Sequence, residues 1–268
     1  MIQANRDATA TIPASPTEPA HSLSKVPEVV LLFWAIKIAA TTLGETGGDA
    51  LSMSLNLGYL LSTAVFAGLF LIAVSAQMKT RKFRPFIYWT TIIATTTVGT
   101  TLADFVDRSL GIGYAGGSLL LISLLLGSLY MWYRTTGSVS VASITTRRAE
   151  LFYWITIMFS QTLGTALGDW TADPVGLGLG YTGAALIFGG ALLLLVLAYY
   201  KTKISHTVLF WAAFILTRPL GAALGDFLDK PVDKGGLALD RFTASLVLLA
   251  LIVVCLFLFR QRASKAMH

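Results

Sequence analysis

The chain has 268 residues, of which 55% are hydrophobic and only 13% charged, and its mean hydropathy is +0.70. That composition excludes an ordinary soluble domain. The net charge of +6 does not call for nucleic acid, because the basic residues segregate along the chain as those of a membrane protein do.

The first 25 residues are polar and rich in Pro, Ala, Ser and Thr. They lack the apolar core of a signal peptide and read as a flexible tail. Residues 26–262 read as a membrane domain. A span needs about 20 mostly apolar residues. Eight runs qualify, at roughly 28–50, 57–77, 86–106, 111–133, 151–171, 178–200, 207–228 and 241–260. The fold class expected is an all-α polytopic membrane protein with eight transmembrane helices. The only cysteine, Cys255, falls in the last run and reads as packing.

Span 1 holds Lys37 and then "TTLGETGGDA", with Glu45 and Asp49 one turn apart. Lys37 lies three residues past Trp34, where it is expected to snorkel to the interface. Basic residues follow spans 2, 4, 6 and 8: Lys79, Arg81, Lys82 and Arg84; Arg134, Arg147 and Arg148; Lys201 and Lys203; Arg260, Arg262 and Lys265. With Arg6 and Lys25 they put 14 of the 20 basic residues on one side, so both termini are expected in the cytoplasm. Ten of the 14 acidic residues fall on the other side. Span 7 carries Arg218 beside Pro219, which is expected to free a backbone carbonyl and kink the helix.

The odd spans share one pattern. Each has a tryptophan near its start: Trp34, Trp89, Trp154 and Trp211. Ten residues on comes a glycine, Gly44, Gly99, Gly164 or Gly221. Four further on is a small residue, Gly48, Ala103, Gly168 or Gly225, followed at once by Asp49, Asp104, Asp169 or Asp226. A Gly-Tyr pair opens each of the next three even spans, at Gly58-Tyr59, Gly113-Tyr114 and Gly180-Tyr181; the fourth copy reads Asp240-Arg241. The chain is therefore four parallel helical-hairpin repeats, at about 28–80, 84–135, 149–202 and 206–262. Around a central axis they are expected to form a pseudo-fourfold or two-by-two arrangement.

On "TLGETGGD", "TLGTALGD" and "LGAALGD", the sequence resembles a family of uncharacterised bacterial inner-membrane proteins built from four copies of a short repeat of unknown function. The resemblance implies the repeat and the membrane location, with no activity attached.

The chemistry has to come from the residues. The glycine and small positions are expected to pack helices closely. Fifteen residues carry the aspartates about 22 Å beyond the tryptophans, into the outer third of the bilayer. Thr42 and Glu45 share a face with Asp49, Thr97 and Thr101 with Asp104, and Thr162 and Thr165 with Asp169. A second acid follows at Asp107, Asp173 and Asp229. Converging carboxylates and hydroxyls suit a hard cation. His21, His206 and His268 lie at the margins and make poor ligands for soft metals. Four facing aspartates cannot all stay ionised unpaired, so they would bind a cation or protons. Glu45 is the acid nearest the midplane, where the other repeats place Thr100, Thr165 and Ala222. Arg218 is expected to pair with an acid inside the bundle. The tryptophans and tyrosines are expected in interfacial belts.

The function expected is a membrane transporter of a divalent cation such as Mn2+, possible metal ligands being Glu45, Asp49, Asp104, Asp169 and Asp226, with proton coupling available. The alternatives are a non-transporting structural or regulatory membrane protein, or a passive channel. No enzyme, cofactor or nucleic-acid partner is expected; the bilayer, an inorganic cation and protons are. The oligomeric state is left open.

Overall fold

The apolar runs form eight long helices: α1 (Leu31–Asp49), α2 (Gly58–Lys79), α3 (Pro85–Asp104), α4 (Gly113–Thr136), α5 (Arg147–Ala172), α6 (Gly180–Lys201), α7 (His206–Asp229) and α8 (Arg241–Leu258). The computed structural model describes residues 24–264, and among them no strand forms beyond one isolated bridge. The expected tail up to residue 23, with His21, lies outside the described residues, as does His268.

Five helices, α2, α4, α6, α7 and α8, are long and apolar enough to cross a membrane. The other three are long enough but too polar. Position explains the difference. α1, α3, α5 and α7 close a ring, each packed against two others, and the even helices lie outside it. Only 6% of the apolar stretch of α2 is buried, against 61% of that of α7. Leucines such as Leu60, Leu119, Leu194 and Leu246 face outward, as lipid contact requires. A helix shielded by its neighbours can carry polar groups that lipid would expel.

The packed pairs differ from the expected hairpins. α2 packs chiefly on α3, α4 on α5 and α6 on α7, across the repeat boundaries, and α8 returns to α1. The connections explain this. At the basic end the linkers are direct, as at residues 80–84 and 202–205. At the acidic end each loop swings the chain to the next repeat through left-handed residues. Gly58, Gly113 and Gly180 have φ of 72°, 74° and 67°, which only glycine adopts without strain. This is why a glycine precedes the tyrosine in three repeats. In the fourth, Asp240 has an ordinary φ and caps α8, accepting from Thr243 N at 2.8 Å.

No linker joins α8 to α1, and a non-covalent strap takes its place. Ser264 N donates to Val26 O at 2.8 Å and Glu28 N to Arg262 O at 2.9 Å. Lys25 pairs with Glu150 of α5 at 2.7 Å. Lys25 is therefore part of the fold rather than of a tail.

The basic end is an aromatic plug. Trp89, Trp154 and Trp211 are buried there with Phe33, Tyr88, Trp132 and Tyr153, and only Trp34 is partly exposed. The expected tryptophan belt is not what forms. The tryptophans share a helix face with the residues three, seven and eleven positions on, which point into the ring. The Tyr88 and Tyr153 hydroxyls meet at 2.6 Å, and the Trp132 and Trp211 rings stack edge to face at 5.8 Å. Such pairs add about 0.5–1.5 kcal/mol each beyond their buried area.

Candidate functional site

The small residues explain how the ring closes. Each accepts a side chain from the next repeat. Thr96 lies on Gly44, Gln161 on Gly99, Arg218 on Gly164, and Thr41 on Gly221. One turn further along, Thr100 lies on Gly48, Ala222 on Gly168, and Glu45 on Gly225. Ala103, at the remaining such position, is buried in one apolar cluster with Leu163 and Ala166 of α5. Pro219 packs on the same two glycines of α5 as its neighbours do. The residues seven and eleven past each tryptophan thereby face the axis, and the glycines supply the space.

Arg218 bridges that axis. From α7, its Nη2 donates to Glu45 Oε2 of α1 at 3.0 Å, to Thr100 Oγ1 of α3 at 2.6 Å, and to Thr165 Oγ1 of α5. Thr100 also donates to Gly44 O at 3.1 Å. Arg218 therefore holds the eleventh-position residue of each of the other three repeats. Its Nε and Nη1 have no partner among the described residues.

One turn outward lie the four aspartates, all buried. They pair off on two bases. Lys230 meets both Asp49 and Asp226, the latter at 3.0 Å. Arg108 meets Asp104 at 3.1 Å and Asp169 at 3.0 Å. Burial lowers the Lys230 ammonium, but Asp226 and Asp49 outweigh it and hold its pKa well above the usual lysine value. A third base, Arg241, meets Asp229 at 2.8 Å. π-helical turns, Ala50–Ser54 and Phe105–Ser109, follow Asp49 and Asp104; such turns often mark functional sites.

The charges do not balance. Glu45, Asp49 and Asp226 offer carboxylate oxygens all within 4.8 Å of one another, and two bases, Arg218 and Lys230, share that space. Asp104 and Asp169 share one. Fully ionised, each cluster keeps one uncompensated negative charge.

The other expected site residues fall elsewhere. The hydroxyls of Thr42, Thr97, Thr101 and Thr162 are spent on carbonyls of their own helices, at Ile38, Ile93, Thr97 and Met158. Serine and threonine commonly do this in helices. Lys37 does not snorkel. It is fully buried, 4.1 Å from the Phe214 ring and 3.4 Å from Thr217 Oγ1, because its position three past Trp34 shares the inward face. The tyrosines carry contacts rather than a belt alone: Tyr59 accepts from Arg108 at 3.3 Å and Tyr114 donates to Asp173 at 3.1 Å. Sequence reasoning missed Arg108 and Lys230 as counter-ions. The signal was present, since each lies four residues past a ring aspartate.

The Asp107 carboxylate has no partner for either oxygen among the described residues. Burial pushes its pKa up to about 6 against the pull of Arg108.

The family model described as Repeat of Unknown Function (DUF347) matches the chain four times, over residues 32–83, 87–138, 152–205 and 209–263. The chain belongs to that family. No curated protein and no solved structure matches it.

Proposed function

We propose that the chain is a membrane transporter of a cation, a divalent metal ion such as Mn2+, exchanged for protons. In this reading all eight helices cross a bacterial inner membrane as four parallel repeats, with the basic end and both termini in the cytoplasm.

The observation that carries the reading is the convergence of Glu45, Asp49 and Asp226, whose oxygens lie within 4.8 Å of one another. The two acid clusters hold five acids and three bases, while Lys37 lies deeper in the ring and pairs with no acid among the described residues. The uncompensated charge of the two ionised clusters equals that of one divalent ion, or of two protons on their carboxylates. Carboxylate and hydroxyl oxygens suit a hard cation. Arg218 and Lys230 act as tethered cations that occupy the carboxylates between cycles. Arg218 is held through a single nitrogen, which lets an incoming ion compete with it for Glu45. A guanidinium that reaches the other three inner helices argues against a passive open pore.

One observation favours a non-transporting scaffold: each ring aspartate has a base within ion-pair distance. Reconstitution in liposomes separates the two. Transport requires Mn2+ uptake with a matching change of lumenal pH, abolished by Asp49→Asn or Asp226→Asn in protein that stays folded. Wild-type vesicles that pass none of Mn2+, Ca2+ or Mg2+ would leave the scaffold.

A further inference from the structure

The second acids, one turn beyond the ring, differ in how they are satisfied. Asp229 takes the Arg241 guanidinium at 2.8 Å. Asp173 accepts from Tyr114 at 3.1 Å and from Val175 N at 2.8 Å. Asp107 takes nothing. It is 5% exposed, and both its oxygens are buried without a partner among the described residues. Its carboxylate lies against Gly117 of α4, and the next hydroxyl, that of Ser118, is buried and unpartnered as well. A buried carboxylate left in that condition is costly and calls for an explanation.

Asp107 also lines a cleft of about 360 Å³ at the acidic end, with Tyr114, Trp170 and Asp173. Arg108 borders the same cleft, but its guanidinium is committed to Asp104 and Asp169.

We propose that this cleft binds a small organic cation, an ammonium or guanidinium group, on the Asp107 carboxylate. The fourth repeat shows the chemistry. There the residue in the place of Tyr114 is Arg241, and the chain's own guanidinium sits on Asp229, the counterpart of Asp107. The second repeat has the acid without the tethered base; the cleft runs along Asp107, and its carboxylate, now packed against Gly117, turns out into that cleft to meet the cation. The Trp170 ring in the lining adds a face suited to a cation, worth about 0.5–2 kcal/mol in such settings, whereas the Tyr114 ring already carries the Arg108 guanidinium at 6.0 Å. The inference does not rest on transport: it concerns a carboxylate outside the ring, and binding is measurable in detergent, where no flux exists.

The test is calorimetric titration of the full chain in detergent with methylguanidinium, and with methylurea as the neutral match. Methylguanidinium is expected to bind saturably and methylurea not. Asp107→Asn is expected to weaken methylguanidinium at least tenfold. Tyr114→Arg, which installs the guanidinium the fourth repeat already has, is expected to abolish binding. The idea fails if the wild type binds neither compound, if both bind alike, or if Asp107→Asn binds as tightly as wild type. Should Asp107→Asn not fold, retained binding in Tyr114→Arg overturns it equally.

Discussion

Arg218 of the fourth repeat lies 3.0 Å from Glu45 of the first, and both side chains are sealed from solvent. They occupy different repeat positions, seven and eleven past their tryptophans. The extra length of the arginine spans that one-turn difference. Breaking a buried pair from one side leaves a lone charge in low dielectric, at about 3–5 kcal/mol. Arg218→Met and Glu45→Gln are each expected to destabilise by that order, and the double variant to recover most of the loss. Unfolding in detergent across the four proteins of this cycle measures it. Additive losses would show that the pair is not coupled.

Lys230 joins Asp49 to Asp226, so its removal frees two carboxylates beside Glu45. Lys230→Met is expected to be less stable than wild type without added metal and to regain stability on adding Mn2+. The stabilisation follows the ratio of free ion to Kd, about 2.7 kcal/mol at a hundredfold excess. Apparent Mn2+ affinity should rise on the order of tenfold, about 1.4 kcal/mol. Thermal shifts against Mn2+ concentration provide the check. A scaffold predicts loss of stability that no divalent ion repairs.

The repeat was legible because its determinants are local. Tryptophan, glycine, small residue and aspartate at fixed offsets mark the odd helices, and the outer helices are predominantly apolar. Pairing between helices was not legible. Glu45 and Arg218 are 173 positions apart, and no spacing rule reaches that far. The hairpin assignment failed for a related reason: composition does not reveal that Gly58 and its counterparts take left-handed φ and steer the chain to its neighbour. Lys37 and the tryptophans were misplaced because interfacial anchoring is a rule for lipid-facing helices, and these residues belong to the inner ring.

The glycines divide into two classes with opposite expected responses. A methyl at Gly225 would lie 2.5 Å from Glu45 Cβ, and one at Gly164 would lie 2.4 Å from Arg218 Cβ. Neither neighbouring atom can swing away, so Gly225→Ala and Gly164→Ala are expected to lose about 1–3 kcal/mol through overpacking. Gly127 and Gly190, on the outer helices, meet nothing within 4 Å. Alanine there is expected to be neutral or to stabilise by up to about 1 kcal/mol. Melting temperatures of the four single variants decide it, and a uniform response would contradict the ring packing.

Ala238 has φ of 52° in the loop before α8, where Gly111 and Gly178 hold the matching places with φ of 68° and 67°. A left-handed alanine costs about 1–2 kcal/mol. Ala238→Gly is expected to relieve most of that, less the entropy a glycine adds to the unfolded chain. A net gain of roughly 0.5–1 kcal/mol should appear as a higher unfolding midpoint.

Asp107 gives the pH dependence a definite sign. Its ordinary pKa of 3.8 is raised by burial to about 6 in the folded protein. Below the lower value both states hold the proton and the group contributes nothing to the slope. Between the two, the unfolded chain ionises first while the folded protein keeps its proton, so stability falls as pH rises. Above about 6 the penalty is complete and constant. Arg108 on the same turn, with Tyr114 and Asp173 across the cleft, are the ionisable groups around it; Arg108 keeps its charge across this range, and its pull limits the shift. Asp107→Asn, which has no proton to lose, is expected to exceed wild type by on the order of 1–2 kcal/mol at pH 7 and to match it near pH 4. Unfolding midpoints of the two proteins from pH 4 to 8 test this. A gap that stays constant over the range would mean that Asp107 ionises as freely in the fold as outside it.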